Sequence, residues 1–307
     1  MEPQYQLIII GSGPAGMTSA MYASRAEVKT LILENAAPGG KMVKTHLVEN
    51  YPAFESITGV DLSMKMHNHS LAFGAVYQYG DVVNIIKENG VFSVHTADGS
   101  VYTSKAVIAA TGTIERKIGL DQEDELVGKG VSYCAVCDGA FFKNREVIVV
   151  GGGDSAIDES LYLTQFVSKV TVVMRRDVFR ADPGTVARAK ENPKIHFVYN
   201  HTPQEIMTEG GLVSGLKVKS TETSEEKIVK GAALFPYIGA DPATKYLKSL
   251  SVLDEWGYSQ VNDYMETKIT GLYTVGDMNQ KHLRQIVTAT ADGAIAAQQA
   301  IDYIIKN

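Results

Sequence analysis

The sequence predicts an α/β chain of two domains, each organised around a parallel β-α-β unit. Two observations carry this. One glycine-terminated pattern occurs twice, about 140 residues apart, which makes it a large internal repeat. A chain of 307 residues with 45% apolar and 21% charged content also holds enough material for about two cores.

The first copy of the pattern is the apolar run Leu7-Ile8-Ile9-Ile10, a buried strand, entering Gly11-Ser12-Gly13-Pro14-Ala15-Gly16. Behind it a helix is predicted over Pro14 to Arg25 and a second strand over Thr30 to Leu33. The stretches Tyr77 to Ile86 and Val91 to Thr103 read as short β-like runs before the sheet resumes at Ala106 to Ala110. The second copy is Val147-Ile148-Val149-Val150 entering Gly151-Gly152-Gly153-Asp154-Ser155-Ala156, with a helix over Asp154 to Phe166 and a strand over Val170 to Val173. Near the C-terminus, Leu272-Tyr273-Thr274-Val275 reads as a strand ending in Gly276-Asp277. Arg284-Gln285-Ile286 then opens a long helix rich in alanine and isoleucine.

Each repeat is a complete dinucleotide-binding unit of the Rossmann type. The first glycine allows the tight bend, the second lets backbone amides approach a pyrophosphate, and the third position must be small for helix and strand to pack. The helix N-terminus then faces the phosphates with its positive dipole end. The residues just past the second strand differ between the copies, and the difference predicts two ligands. Glu34 closes the first, where a carboxylate accepts from ribose hydroxyls and repels a 2′-phosphate, so this site reads as one for FAD or NAD. After the second strand of the other copy come Arg175-Arg176 and Arg180, whose guanidinium forks suit a phosphate dianion, so this site reads as one for NADPH over NADH. A solvated basic turn is the alternative. Asp277 at a strand end suits the ribityl chain of FAD, and the buried helix behind it could stabilise charge on a reduced flavin or simply be core.

The chain has two cysteines, and both lie in Cys134-Ala-Val-Cys137, followed by Asp138-Gly139. Spending both within four residues reads as one reversible dithiol/disulfide pair. The seven histidines form no closely spaced pair that would complete a two-cysteine zinc site, so no metal is expected. Haem attachment would need His where Asp138 stands. The N-terminus lacks a secretory pattern and no apolar run reaches membrane-spanning length, so a reducing cytoplasm is expected. A net charge of -6 argues against a nucleic-acid partner.

Taken in order along nearly the whole chain, these motifs resemble the low-molecular-weight, bacterial-type thioredoxin reductases. The resemblance is carried by Gly11-Ser12-Gly13-Pro14-Ala15-Gly16, Pro38-Gly39-Gly40, Glu49-Asn50-Tyr51-Pro52, Ala110-Thr111-Gly112, Cys134-Ala135-Val136-Cys137-Asp138-Gly139, Gly151 to Ala156, Arg175-Arg176 with Arg180, and Gly276-Asp277 with Arg284-Gln285. The position of the cysteine pair, just before the second glycine unit, is the most specific element. The resemblance implies an FAD-binding domain of residues 1–112 and 241–307, with an NADPH-binding domain of residues 113–240 inserted in it and hinges near Gly112 and Gly239. It implies FAD held by Gly11, Ser12, Gly13, Pro14, Ala15, Glu34, Gly40, Lys41, Asn50, Thr111, Gly112, Asp277, Arg284, Gln285 and Ile286. It implies NADPH held by Gly151, Gly153, Asp154, Ser155, Ala156, Arg175, Arg176 and Arg180.

The implied activity passes electrons from NADPH to FAD, to the Cys134-Cys137 disulfide and on to the disulfide of thioredoxin, in a homodimer whose inserted domain rotates between two arrangements. Cys137 would lie by the flavin, Cys134 would attack the partner, and Asp138 would serve as general acid/base or, alternatively, as a cap. Two rival activities share the fold: reduction of another thioredoxin-like or peroxiredoxin partner, and a ferredoxin-fed flavin thioredoxin reductase, which should lack the second glycine turn and the arginines. A flavoprotein redox sensor is the non-enzymatic reading. The sequence departs from the family pattern at Lys41, where Gln is usual, at Met174, where His is common, and at Gly119 to Glu123, which lacks the usual Pro-Gly-Glu turn. Lys41 would put a cation by the flavin or point to solvent.

Overall fold

A computed structural model describes residues 2–45 and 47–307; Met1 and His46 lie outside the described residues. The chain divides into two compact units, Met1–Ile114 with Asp241–Asn307, and Glu115–Ala240.

The first unit opens with β1 (Tyr5–Ile10), α1 (Pro14–Arg25) and β2 (Thr30–Glu34), then a small pair β3 (Leu47–Val48) and β4 (Ile57–Thr58), and α2 (Gly59–Leu71). There follow β5 (Val76–Tyr79), β6 (Val82–Glu88), β7 (Val91–Thr96) and β8 (Val101–Ala109). Strand β9 (Thr113–Glu115) leads into the second unit, which contains α3 (Ala135–Asp138), β10 (Glu146–Val150), α4 (Asp154–Leu163), β11 (Lys169–Val173), α5 (Pro183–Glu191) and β12 (Ile195–Val198). That unit is completed by β13 (His201–Glu209), β14 (Leu212–Ser220), β15 (Glu226–Lys230) and β16 (Leu234–Pro236). Strand β17 (Ala240–Pro242) leads back to β18 (Leu272–Thr274) and α6 (Ile286–Lys306), and β9 and β17 pair with each other.

The first sheet has seven strands in the order β5-β2-β1-β8-β7-β6, with β18 also on β8. Strand β8 is shared: Val101 to Ser104 pair antiparallel with β7, and Val107 to Ala109 pair parallel with β18. Its parallel centre is buried on both faces, as helices or loops on each side require. Alternation sends Leu7, Ile9, Ile32 and Ile108 to the face covered by α1 and α6, and Ile8, Ile10, Leu31, Leu33 and Val107 to the face covered by Tyr246, Leu247 and Val252. Each such side chain contributes roughly 1.5–3 kcal/mol by leaving water. The second unit has a four-stranded parallel sheet, β12-β11-β10-β16, and a three-stranded antiparallel sheet, β13-β14-β15.

Three sequence expectations change in detail. The run Val91 to Thr103 is divided between β7 and the start of β8, so that the latter strand begins at Val101 and not at Ala106. The run Tyr77 to Ile86 is split at Gly80-Asp81, so that β5 and β6 end on opposite edges of one sheet; a Cβ on Gly80 would stand 3.0 Å from Leu33 Cδ2. The second helix ends at Leu163 and not at Phe166, because the chain tightens through the Thr164 N–H to Leu161 O and Phe166 N–H to Leu163 O bonds. That turn seats the Phe166 ring edge-on to Tyr162. The departure at Gly119 to Glu123 has its own solution. The buried Glu123 carboxylate accepts from the N–H groups of Ile118, Gly119 and Leu120 and from the Tyr133 hydroxyl.

Helix α6 lies against α1 with no room for a side chain at Gly293, where a Cβ would stand 2.3 Å from Ala15 O. The Ser19 hydroxyl also reaches Gly293 O at 3.0 Å. Gly293→Ala is therefore expected to destabilise the protein by about 1–2 kcal/mol in urea unfolding, since overpacking against backbone outweighs the gain of about 1 kcal/mol in helix propensity. A stabilised variant would show that the two helices part easily.

Candidate functional site

At the first glycine turn the three glycines do different work. Gly11 is left-handed at φ +101°, and a Cβ on it would lie 2.5 Å from Ala110 O. A Cβ on Gly16 would lie 2.0 Å from Gly11 O. Gly13 meets nothing within 4 Å, so the turn packs tightly at its two ends and opens to free space at its middle. Gly13 is the N-cap of α1 and makes no side-chain cap, with Pro14 in the first helical turn, which leaves N–H groups of that turn for an anion. An FAD pyrophosphate fits such a cradle.

Glu34 at the end of β2 accepts from Ser12 N–H at 2.7 Å and the Ser12 hydroxyl at 3.0 Å through one oxygen, and from Ala36 N–H at 3.0 Å through the other. A carboxylate has about four acceptor positions, so one remains for a ribose hydroxyl. Gly39 N–H donates to Ser12 O at 2.8 Å, which brings Gly40 against Gly13, its Cβ position 3.4 Å from the Gly13 Cα. Next to it Lys41 donates to the Thr113 hydroxyl. Burial pushes the Asp277 carboxyl up, while the cations of Lys41, Lys281 and Arg284 oppose the shift. Lys41 is thus exposed, bonded to Thr113 and close enough for its charge to reach Asp277.

The Arg284 guanidinium donates to Asp277 O at 3.1 Å and Asn279 O at 3.2 Å and lies 4.5 Å over the Tyr258 ring. Asn50 donates to the Gln285 side chain at 3.0 Å, and Gln285 caps α6 reciprocally with Thr288. Ile286 packs on the Met17 and Met42 cluster. The Thr111 backbone lies at the first glycine turn, its Cα 3.2 Å from the Cβ position of Gly11, while its hydroxyl donates to Ala243 O at 2.7 Å and sits 3.0 Å from the Tyr246 hydroxyl. Gly112 is left-handed, with open space where a Cβ would stand.

The second glycine turn repeats the first. Gly151 is left-handed at φ +143°, with its Cβ position 2.2 Å from Tyr237 O, and Gly153 faces open space at the uncapped N-terminus of α4. Met174 explains its own departure: its methyl would lie 2.6 Å from a Cβ on Gly152, so the buried thioether fills the space beneath the turn. Two bonds tie the arginine loop to the turn, Arg180 N–H to Gly152 O and Asp182 N–H to Asp154 Oδ1, both 2.8 Å. Arg175, Arg176 and Arg180 are left exposed there, as a 2′-phosphate requires. The Asp154 carboxylate accepts that one bond through Oδ1 and is otherwise exposed. Ser155 is exposed and Ala156 fully buried.

Cys134 and Cys137 form a disulfide around the single turn of α3. Cys137 N–H donates to Cys134 Sγ at 3.1 Å, Asp138 N–H donates to Cys134 O at 3.1 Å, and Ala135 N–H donates to the Tyr237 hydroxyl at 3.0 Å. Cys134 is half-buried and Cys137 exposed. The Asp138 side chain makes no capping hydrogen bond, which removes the reading of it as a cap. Gly139 is required by close packing, its Cβ position 2.9 Å from Leu163 Cδ2. Among the described residues, no group of three or more His, Cys, Asp or Glu could hold a metal, and no helix is long and apolar enough to cross a membrane.

Two residues of this region escape sequence reasoning. Tyr237 reads only as connector, yet burial, and next the charge of Glu159, push its hydroxyl far above the usual range. Glu159 lies with Ala156, Ser160 and Leu163 on the buried stripe of α4, and its Oε2 has no hydrogen-bond partner among the described residues. The helical spacing of that stripe was the available signal.

Residues 5–293 match the family described as pyridine nucleotide-disulphide oxidoreductase. The chain belongs to that family. It is an oxidoreductase, and its Cys134–Cys137 pair fits the family's redox-active disulfide. It is 51% identical to a thioredoxin reductase of Bacillus subtilis (strain 168) over 99% of this chain and 96% of that protein. It is 49% identical to a thioredoxin reductase of Listeria innocua over 99% and 95% of the two chains. A crystal structure of Lactococcus lactis thioredoxin reductase in its FR conformation matches with a TM-score of 0.96 and 43% identity, covering 99% of this chain and all of that one.

Burial, and next the charge of Asp158, push the Glu159 carboxyl up to about 8 from an ordinary 4.5. Between those values the folded chain holds a proton that the unfolded chain has released, so stability falls as pH rises, by up to about 1.4 kcal/mol per unit, and levels off above 8. Glu159→Gln is expected to flatten that part of the profile in urea unfolding at pH 5, 6.5 and 8. An unchanged slope would place its source elsewhere.

Proposed function

We propose that this chain is an NADPH-dependent flavoprotein that reduces the disulfide of thioredoxin, holding FAD at the first glycine turn and NADPH at the second. The observation that carries the reading is the pair of open glycine turns with opposite flanking charge, Glu34 at one and Arg175, Arg176 and Arg180 at the other, in a chain whose cysteines form a cystine. The relatives named thioredoxin reductase favour thioredoxin as the protein partner. The exposed arginines and the intact second turn speak against a ferredoxin-fed enzyme. A cytoplasmic homodimer completes the proposal; the cytoplasm rests on the sparse, paired cysteines, and the dimer on the family resemblance.

When bound, FAD supplies a carrier that accepts hydride from a nicotinamide and passes two electrons to a disulfide. The protein's own chemistry begins with the reduced pair. The Cys134 thiolate attacks one sulfur of the partner's disulfide, forming a mixed disulfide and releasing one partner thiolate. Cys137 then attacks Cys134 Sγ, which restores the cystine and frees the second partner thiolate. The Cys137 N–H directed at Cys134 Sγ favours the thiolate there and so makes Cys134 the attacking sulfur. Asp138, adjacent to Cys137 and without a capping bond, acts as the acid/base, giving Cys137 its proton on reduction and taking it back when Cys137 attacks. The Tyr237 hydroxyl keeps Ala135 N–H paired and so fixes the turn carrying both sulfurs.

Thioredoxin-dependent oxidation of NADPH tests the activity. Cys134→Ser should reduce thioredoxin turnover to background while NADPH still bleaches the flavin; loss of both would contradict the assigned order of sulfurs. Arg175→Ala with Arg176→Ala should raise the KM for NADPH about 10- to 100-fold and leave that for NADH unchanged, the effect of losing charge-assisted bonds to one phosphate. An equal change for both nucleotides would return the arginines to a solvated basic turn.

A further inference from the structure

The helix α6 that covers the first unit buries a stripe of Ala289, Asp292, Gly293, Ala296, Ala297 and Ala300. Asp292 is the one charged member of that stripe. A carboxylate among alanine methyls is unfavourable unless its charge and lone pairs are matched. Here one oxygen, Oδ2, accepts from Gly276 N–H at 2.9 Å and from Lys281 Nζ at 2.6 Å, with the Lys281 and Asp292 side chains only 16% and 12% exposed.

The place where this happens joins the elements of the flavin reading. Gly276 is left-handed at φ +77°, and its Cβ position is 3.3 Å from Ala15 Cβ and 3.8 Å from Ala289 Cβ. Gly293, next to Asp292, is pressed against Ala15 O. The Gly276-Asp277 turn, the start of α1 and the first turns of α6 thus meet, and Asp292 supplies a polar link between α6 and the turn. Lys281 is also one of the cations whose charge reaches Asp277.

We propose that Asp292 and Lys281 act as a positioning pair for flavin binding, Asp292 fixing the Gly276-Asp277 turn and neutralising Lys281 so that the cation does not capture Asp277. This deepens the proposed function and rests on FAD occupying the first unit. An asparagine at position 292 could still accept from Gly276 N–H, so the need for a carboxylate is the need to match Lys281. Removing Asp292's charge leaves a largely enclosed ammonium whose charge also reaches the Asp277 carboxylate. Removing Lys281 leaves Asp292 an unmatched buried anion behind the turn.

The test is the FAD dissociation constant, by fluorescence titration of deflavinated protein, for wild type, Asp292→Asn, Lys281→Met and the double variant, with melting temperatures beside it. Each single substitution should weaken FAD at least tenfold, and the double variant should recover to within about threefold of wild type, the signature of coupled charges. Affinities unchanged in the singles despite lowered melting temperatures would make the pair a structural staple and overturn the proposal. A double variant as weak as the worse single would overturn it as well. Should Asp292→Asn fail to fold, Lys281→Met decides the matter, because the pair account requires it to weaken FAD. A wild-type protein that binds no FAD would overturn the flavin reading itself, whereas normal wild-type binding with unaffected variants would overturn this inference alone.

Discussion

Both nucleotide-binding turns depend on one steric constraint, the absence of a Cβ at the exit of the central strand. Gly11 faces the carbonyl of Ala110 and Gly151 that of Tyr237, each just beyond the neighbouring parallel strand. At 2.5 and 2.2 Å any side chain would part the two strands, and both glycines also hold positive φ. Only with that contact made does each helix begin close enough to its strand for the middle glycine, Gly13 or Gly153, to face open space. The same geometry thus appears twice, while the chemistry around it differs in sign, a carboxylate at the first copy and guanidinium groups at the second.

In the second unit this constraint is tied to the redox pair through one residue. The Tyr237 carbonyl presses on Gly151, and its hydroxyl accepts from Ala135 N–H in the turn between the cysteines. Glycine turn and cystine are therefore referred to the same side chain, buried deeply enough that its phenol stays neutral. Gly139 closes the arrangement by letting the cysteine turn sit against Leu163 of α4. In the first unit the corresponding work is divided between Glu34, which clasps Ser12 from the end of β2, and Gly39, which returns the Pro38-Gly39-Gly40 loop to Ser12 O.

Much of this was legible in the sequence because it rests on short-range chemistry. Runs such as Leu7 to Ile10 and Val147 to Val150 are apolar on both faces, which only central parallel strands tolerate, and glycine marks where a Cβ cannot stand. The arginine loop was legible as composition. What was not legible depends on contacts between distant segments. No local pattern says that Arg180 and Asp182 dock on the glycine turn, that the Thr111 hydroxyl turns inward to Ala243, or that Lys41 reaches Thr113 and acts on Asp277. Tyr77 to Ile86 divides at Gly80-Asp81, where the chain leaves one sheet edge for the other, and nothing local says which edge each half joins.

The most direct test of two turns holding two different nucleotides is anaerobic stopped-flow absorbance of the yellow, flavin-loaded protein mixed with NADPH and, separately, with NADH. Rapid bleaching of the flavin band by NADPH, with NADH slower by about 10- to 100-fold at equal subsaturating concentration, is the predicted result. Absent bleaching, or equal rates for the two nucleotides, would contradict the assignment of the second turn and its arginines to NADPH.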